Sequence, residues 1–202
     1  MSHHFARYLI HLQLGTFCTI SWRSPHNPHK KEEDMKHEIT HVVVPGTFDP
    51  ITLGHLDVIA RACRMFDTVT VGVAASLNKR GLGTTFTLDE RVEMVREALR
   101  AAGLLSVEVL PFSGLLVDFC REQKALGIVK GLRAMTDFEY ELQQADLNTR
   151  LSPHIESIFI MSSPQFGYIS SSVVKEVAAM GADASALVPA CVNERLHVHF
   201  SK

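Results

Sequence analysis

From residue 40 onward, short runs of β-branched residues alternate with segments whose apolar residues recur at helical spacing. The clearest run, residues 68–74, is almost continuous in Val and Thr, which is typical of a strand buried on both faces of a sheet. Such alternation indicates βαβ units around a parallel sheet. The predicted strands are residues 41–44, 68–74, 107–110, 128–130 and 157–161. We therefore expect an α/β fold with a doubly wound five-stranded parallel sheet and helices on both faces.

Helix-start signals separate the predicted strands. Residues 87–90 and 136–139 both match the capping box, in which Thr and Glu side chains satisfy each other's backbone amides. Thr52 and Ser170 occupy N-cap positions, and Pro189 suits the first turn of a last helix. The predicted helices cover about residues 53–66, 87–100, 114–124, 136–150 and 170–181, with one more from 189.

The loops that follow the predicted strands are expected to lie together. In an open parallel sheet, ligands bind beyond the carboxyl ends of the strands. The loops at that edge should therefore line one crevice. They are residues 45–55, 74–87, 111–115, 131–137 and 162–172.

The loop after the first strand carries the string G-T-F-D-P-x-T-x-G-H over residues 46–55. Thr47 supplies a hydroxyl, and the helix that begins after Thr52 offers free amides and a positive dipole end to a phosphate. Gly54 leaves room for a nucleotide against the backbone. Because the dipole disfavours imidazolium, we expect His55 to be a neutral hydrogen-bond donor unless bound phosphates restore its proton. The alternative is that His55 merely caps its helix and Thr47 merely turns the chain.

Further polar segments follow the other predicted strands. Cations stand at Lys79 and in the string K-G-L-R at 130–133, and three serines begin the helix in I-S-S-S-x-x-K-E at 169–176. Each has a plainer explanation: Lys79 can be solvated, Arg133 can pair with a nearby carboxylate, and the serines can be a capping run. Their shared position at one edge of the sheet favours an anion-binding site.

The string at 46–55 matches the motif of the nucleotidyltransferase superfamily. With Lys79, the strings at 130–133 and 169–176 and the string D-F-E-Y-E at 137–141, nearly all of the chain from 41 to 197 resembles the bacterial phosphopantetheine adenylyltransferases. The resemblance implies a Rossmann-like nucleotidyltransferase domain. It also implies adenylyl transfer from ATP to 4′-phosphopantetheine by direct in-line attack, without a covalent intermediate, giving dephospho-coenzyme A and pyrophosphate in the penultimate step of coenzyme A biosynthesis. The resemblance further implies that Mg²⁺ binds through the ATP phosphates, without a metal site made of protein residues. It also implies that coenzyme A is a feedback ligand and that the protein forms a homohexamer.

The resemblance also assigns roles to individual positions. His55 would stabilise the transition state at the α-phosphate, and Thr47 would orient the attacking phosphate. Lys79 would attract that phosphate, and Arg133 would hold the β and γ phosphates. The implied ATP-binding residues are Thr47, Phe48, His55, Gly131, Leu132, Arg133, Glu141, Phe166, Gly167, Tyr168, Ile169, Ser170, Ser171 and Ser172. The implied residues for the second substrate are Thr47, Lys79, Leu116 and Lys130.

The chain departs from the family pattern at three places. Lys130 stands where many members have Arg, so a two-pronged phosphate contact becomes a point charge. The loop 79–86 is longer than usual, and Gly114 replaces a common polar residue. Two rival functions remain open: a related transferase that uses nicotinamide mononucleotide or glycerol phosphate as acceptor, and an inactive nucleotide-binding or assembly protein.

Composition narrows the remaining classes of function. A formal net charge of −2 argues against a general nucleic-acid binder. No run of about 18 or more apolar residues is present, so no membrane span is expected. The four cysteines are widely scattered and form no zinc or disulfide pattern, which is typical of a protein of the reducing cytoplasm.

Residues 1–38 differ from the rest of the chain. Seven of the eleven histidines lie at or before residue 41, and no acidic residue precedes Glu32. We expect 1–38 to be a disordered or non-native extension, with translation starting at Met35, and 39–202 to be the nucleotidyltransferase domain. The alternatives are an organelle transit peptide and adventitious metal binding by the histidines.

Overall fold

The computed structural model of the chain describes residues 39–75, 84–133 and 135–201, with the backbone alone for 135–137. The expectations for residues 1–38 and for Lys79 lie outside these ranges. Strands and helices alternate through the described residues. In chain order they are β1 (His41–Gly46), α1 (Leu53–Met65), β2 (Thr68–Ala74), α2 (Leu88–Ala101), β3 (Glu108–Phe112), α3 (Leu116–Glu122), β4 (Gly127–Leu132), α4 (Met135–Leu151), β5 (Glu156–Met161), α5 (Ser171–Ala179) and α6 (Ala190–Phe200).

The five strands form one sheet in the order β3-β2-β1-β4-β5, and every neighbouring pair is parallel. The order reverses between β1 and β4, because the chain crosses from the outer strand β3 to the opposite side of β1. The loops after β1 and β4 therefore diverge and leave a crevice at this switch point. The predicted doubly wound parallel sheet is confirmed.

Alternate residues of the central strands face two separate cores. Val42 and Val44 belong to the larger core with apolar residues of α1, α2, α5 and α6. Val43 and Ile128 belong to a smaller core on the other face, together with Phe119 and its neighbours on α3. Helix α4 contacts α3, β4 and β5. Helices cover both faces, as predicted, and the sheet provides a rigid base for the loops at its carboxyl edge.

Three of the predicted N-caps are confirmed, because their side-chain oxygens accept from backbone amides one turn later. Thr52 accepts from His55, Thr87 from Glu90, and Ser170 from Val173. Pro189 is itself the N-cap residue of α6, one position before the predicted first turn. Two of these caps, Thr52 and Ser170, set the starts of α1 and α5, which lie at the crevice.

The second predicted capping box, at residues 136–139, is wrong. Strand β4 continues to Leu132, two residues beyond its predicted end, so that only residues 133 and 134 separate it from the next helix. Helix α4 begins at Met135, and Thr136 lies inside its first turn. Helix α3, in contrast, is shorter than predicted at both ends. Among the helices that the structure describes, none is both long enough and apolar enough to cross a membrane.

Candidate active site

A cavity of about 610 Å³ opens at the carboxyl ends of β1 and β4, where the strand order reverses. Its walls are the turn after β1, the start of α1, the end of β4, one face of α4 and the first turn of α5. The lining residues are Val44, Pro45, Gly46, Thr47, Phe48, Thr52, Gly54, His55, Val58, Val129, Lys130, Gly131, Arg133, Tyr140, Glu141, Ser162, Ile169, Ser170, Ser171 and Ser172. A cavity of this size is in the range of small-molecule sites.

Three of the five predicted loops provide lining residues. They are 45–55, 131–137 and 162–172, whereas the described residues of 74–87 and 111–115 contribute none. Leu116 packs against the smaller core beside Val117 rather than lining the cavity. The crevice is therefore lined by fewer loops than expected and lies at the switch point.

His55 is held in one tautomer by the start of its own helix. The backbone N–H of Thr52 donates to Nδ1 of His55 at 3.0 Å, and the backbone N–H of His55 donates to Oγ1 of Thr52 at 3.3 Å. Because Nδ1 accepts, the neutral ring carries its proton on Nε2. Burial, as the larger cause, and the positive charge of Arg133 together lower the pKa of His55 to about 4. In the free protein His55 is thus a neutral donor, as expected, but the causes are burial and Arg133 rather than the helix dipole.

Phe48 supports the imidazole from beside it. Its backbone is left-handed, with φ of 49°, and its side chain is only 3% exposed. The ring meets that of His55 edge to face, with 5.1 Å between centroids. A Cβ at Gly46 would lie 2.8 Å from the Phe48 ring, so glycine is needed there for close packing. Phe48 thus braces His55, a contact that the sequence alone does not reveal.

Lys130 and Glu141 form an ion pair in the wall of the cavity. Nζ of Lys130 lies 3.2 Å from Oε2 of Glu141, and both side chains are largely buried. Glu141 Oε2 accepts no hydrogen bond of good geometry within the described part of the chain. The pair places one cation and one anion where β4 and α4 meet. Both were predicted as ligand-binding residues, but their pairing was not predicted.

Arg133 follows β4 and reaches the loop before α5. Its guanidinium donates to the carbonyl oxygen of Ile169 at 3.2 Å. Beside it, the first turn of α5 lines the cavity with Ser170, Ser171 and Ser172. Amides at a helix start together with a guanidinium form an anion site. The two segments that the sequence analysis linked are thus brought together.

The remaining predicted residues of the nucleoside segment do not line the cavity. Phe166 belongs to a single turn of 3-10 helix, Pro164–Phe166, and lies against Gly54. Gly167 lies near the backbone of Arg133, and Tyr168 is 67% exposed. Leu132 is buried and is also absent from the lining. The structure thus leaves Phe166, Gly167, Tyr168 and Leu132 outside the cavity lining.

Asp57 anchors the loop that follows β5, a role that no motif of the sequence indicates. Its carboxylate accepts from the backbone N–H of Ser163 at 3.2 Å and from Ser163 Oγ at 2.9 Å. Arg61, one turn further along α1, lies 3.5 Å from Asp57 and donates to the carbonyl of Met161. The helix that presents His55 therefore also fixes the start of the 162–172 loop.

A second missed feature is a group of charged residues beside the cavity, which we call the Asp49 cluster: Asp49, Arg91 and Lys175. Asp49 is 5% exposed and Arg91 is 2% exposed. Lys175 Nζ lies 2.8 Å from Asp49 Oδ2. Burial by itself raises the pKa of Asp49, but hydrogen bonds from Lys175 and from two backbone amides outweigh it, so that the pKa lies below its ordinary value. Asp49 is therefore ionised at neutral pH.

Comparisons with known proteins agree with this geometry. The profile of the cytidylyltransferase-like family matches residues 43–177. Over 161 residues the chain is 48% identical to a phosphopantetheine adenylyltransferase of Methylacidiphilum infernorum (isolate V4), covering 80% of this chain and 91% of that protein. The chain belongs to the phosphopantetheine adenylyltransferase family. The adenylyltransferase motif at residues 46–55 is thus the part of the cavity wall that contains His55.

Solved structures with the same fold are also found. Two crystal structures of a bifunctional NMN adenylyltransferase/ADP ribose pyrophosphatase from Francisella tularensis match with TM-scores of 0.57 and 0.58 at 17% identity. One of them is complexed with AMP and Mn ion. Each match covers 82% of this chain, which spans about half the length of the Francisella protein: 51% in one structure and 50% in the other. At this identity the likeness concerns the fold alone.

Proposed function

We propose that this protein transfers the adenylyl group of ATP to 4′-phosphopantetheine, giving dephospho-coenzyme A and pyrophosphate. The observation that carries the proposal is the meeting, in one cavity, of the neutral His55 donor with Arg133 and the first turn of α5. Membership of the phosphopantetheine adenylyltransferase family supports 4′-phosphopantetheine as the acceptor. The step is the penultimate one of coenzyme A biosynthesis.

In the proposed reaction, a phosphate oxygen of 4′-phosphopantetheine attacks the α-phosphorus of ATP, and the bond to the pyrophosphate oxygen breaks in line. No covalent bond to the protein is needed. Catalysis then depends on positioning and on fixed donors that face the developing charge. Nε2–H of His55 would donate to an α-phosphate oxygen, and Thr47 at the cavity wall would orient the attacking phosphate.

The β and γ phosphates would lie between Arg133 and the amides of Ser170, Ser171 and Ser172. A helix start and a guanidinium both favour phosphate, the first through backbone N–H groups and the second through paired donors. The Arg133 contact to Ile169 holds the guanidinium at this position before ATP arrives. This contact supports a site that is preorganised on the leaving-group side.

The acceptor phosphate would meet Lys79 and Lys130. In the free protein, Lys130 is paired with Glu141 at 3.2 Å, so the incoming phosphate competes with a carboxylate for the ammonium group. Glu141 would then contact the nucleoside, together with Gly131 and the segment 166–169. Leu116 would contact the pantetheine arm only where the arm leaves the cavity, because Leu116 is outside the lining.

Mg²⁺ is the cation that we propose for the reaction. Within the described ranges, no group of three or more His, Cys, Asp or Glu side chains could hold a metal ion. Glu141 at the cavity is engaged by Lys130, and nearby Asp49 by Lys175. Phosphate oxygens and water are ligands that Mg²⁺ accepts readily. We infer that ATP brings the ion, which neutralises part of the triphosphate charge.

We also propose an oligomeric state, a regulatory ligand and a cellular location for this protein. The family resemblance favours a homohexamer, feedback binding of coenzyme A in the crevice, and a location in the cytoplasm. The first two are tested by light scattering and by coenzyme A inhibition measured against each substrate. Competition with 4′-phosphopantetheine is expected if coenzyme A occupies the same cavity.

The function is tested by measuring pyrophosphate release from ATP and Mg²⁺ with a panel of acceptors. We expect release with 4′-phosphopantetheine and only background release with nicotinamide mononucleotide or glycerol phosphate. A preference for either of the other acceptors would assign a related transferase. Binding of ATP without release on any acceptor would favour the inactive nucleotide-binding protein.

A further inference from the structure

The Asp49 cluster lies next to the cavity without lining it. Buried charges are costly unless they are paired and hydrogen-bonded. Here the cluster connects segments that are far apart in sequence, and two of them, the turn that carries Thr47 and the start of α5, line the candidate site. These connections point to a role in holding the site together.

Arg91 connects three segments through their carbonyl oxygens. Its guanidinium donates to Thr47 at 2.6 Å, to Ala74 at 2.8 Å and to Phe86 at 3.2 Å. Thr47 lies in the turn after β1, Ala74 ends β2, and Phe86 precedes α2. A planar guanidinium with several fixed donors suits such a junction, because its geometry constrains all three acceptors together.

Asp49 connects the same turn to two further elements. Its carboxylate accepts from the backbone amides of Thr85 and Phe86, each at 3.0 Å. It also accepts from Nζ of Lys175 on α5 at 2.8 Å. The turn that carries Thr47 is therefore tied both to the residues before α2 and to the helix whose first turn lines the cavity.

A second contact links the turn to α5 independently. Oγ of Ser171 donates to the carbonyl oxygen of Pro50 at 2.8 Å. Two contacts, Lys175 with Asp49 and Ser171 with Pro50, thus hold the loop after β1 against α5. The two residues of α5 are one helical turn apart. Together they set the distance from Thr47 to the amides at the start of α5.

We propose that Lys175 is a positioning residue for adenylyl transfer, acting through Asp49 to hold the Thr47 turn at a fixed distance from the start of α5. The inference rests on the proposed function, in which Thr47 orients the attacking phosphate and α5 holds the leaving pyrophosphate. Lys175 itself touches neither, since it does not line the cavity. Its role is to keep the two anions in line.

Such alignment affects the chemical step more than binding. A misplacement of about 1 Å far from the reacting atoms can cost about 100-fold in rate. Each substrate would still find its own donors when the turn and α5 move apart slightly. Loss of Lys175 should therefore lower kcat while leaving the KM for ATP close to its starting value.

The test compares Lys175→Met with Lys175→Arg and with a matched control. The control is Arg195→Met, because Arg195 is about as exposed as Lys175 and pairs with Glu97 at the same N–O separation of 2.8 Å, between two helices away from the cavity. Measurements are kcat, the KM for ATP, the KM for 4′-phosphopantetheine, and Tm. Where Lys175→Met fails to fold, Lys175→Gln replaces it, because its shorter neutral side chain removes the ion pair with Asp49, and the same fall in kcat is expected of it.

We expect kcat of Lys175→Met to fall by about 10-fold to 100-fold, with the KM for ATP changed by less than about 2-fold. Lys175→Arg should regain most of the loss, and Arg195→Met should keep the kcat of the unmodified protein. An unchanged kcat in folded Lys175→Met would overturn the proposal, as would a loss that appears only in the KM for ATP or that Lys175→Arg does not restore. Inactivity of the unmodified protein towards 4′-phosphopantetheine would instead overturn the proposed function.

Discussion

The backbone N–H of Thr52 donates to Nδ1 of His55 at 3.0 Å, and this one contact determines which ring nitrogen can serve a ligand. Because Nδ1 is an acceptor, Nε2 carries the proton of the neutral imidazole. Histidine thereby replaces the Glu or Gln of an ordinary capping box, as the comparison with Thr87 and Glu90 of α2 makes clear. One residue caps the helix and also presents a donor to the cavity.

Replacing His55 by Ala should reduce kcat by about 100-fold to 1,000-fold, because one such donor to a developing oxyanion is worth about 3 kcal/mol. Glu90→Ala is the matched control, since it removes the corresponding side chain from the other capping box. Both variants should lose a cap worth on the order of 1 kcal/mol, and His55→Ala also loses the ring contact with Phe48. Steady-state kinetics and thermal unfolding measure the two effects. Near-normal turnover in folded His55→Ala would refute the assigned role.

His55 should make the free energy of unfolding depend on pH. Its pKa in the folded protein is about 4, below the ordinary value of 6.5. Between these pH values the unfolded chain binds a proton that the folded chain does not, so the free energy of unfolding falls as the pH is lowered through this window. Above pH 6.5 the contribution is fully present. Comparing unfolding curves of the unmodified protein and His55→Gln from pH 4 to pH 7 isolates this contribution.

Arg133 should be one cause of the low pKa of His55. Its positive charge disfavours the imidazolium form. In Arg133→Gln, the pKa of His55 should therefore rise from about 4 towards 6.5. Nuclear magnetic resonance titration of the imidazole measures the shift directly. The same titration in Arg61→Gln, which removes a cation further along α1, should leave the pKa in place; equal shifts in both variants would contradict the specific role of Arg133.

Gly54 should be replaceable for folding but not for nucleotide binding. A Cβ at this position would have its nearest neighbours at 3.6 Å, an ordinary contact distance. Ala is also the better helix former, by about 1 kcal/mol. Gly54→Ala should therefore keep or raise Tm while raising the KM for ATP. In Gly131→Ala the new Cβ would lie 2.7 Å from Val58 Cγ2, so this variant should lose stability. A Gly54→Ala protein with unchanged KM for ATP would show that no nucleotide approaches this backbone.

Asp57→Ala should weaken ATP binding more than acceptor binding. The substitution releases Ser163 and with it the start of the loop that leads to α5. The matched control is Asp183→Ala, since Asp183 also accepts from a serine amide and hydroxyl, at Ser185, outside the cavity lining. We expect the KM for ATP to rise only in Asp57→Ala. Parallel rises in the KM of both substrates would indicate a general loss of structure instead.

The sequence was sufficient where the cause of a structure is local. The strand at 68–74 and the caps at Thr52, Thr87 and Ser170 depend on neighbouring residues, and the structure confirms them. The strand order could be narrowed because parallel strands joined by helices admit few arrangements. Most of the cavity wall follows from that order, since it places the loops after β1 and β4 side by side.

The sequence was insufficient where residues distant in the chain decide the outcome. Arg91 looks like any charged residue of an amphipathic helix, and only the packed structure brings it to the Thr47 carbonyl, 44 positions away. The pairing of Lys175 with Asp49 spans 126 positions. The wrong capping box at residues 136–139 has a similar origin, because the length of β4 is set by its pairing with β5. Local patterns contain no information about these contacts.

Transfer of label from α-³²P-ATP is the most direct test of the central claim that this cavity joins ATP to 4′-phosphopantetheine without a protein-bound intermediate. With Mg²⁺ and both substrates, we expect the label in dephospho-coenzyme A, an equal amount of unlabelled pyrophosphate, and no label on the protein. His55→Ala should show the same products at a greatly reduced rate. Label retained on the protein, or absent from dephospho-coenzyme A while another acceptor is labelled, would contradict the account.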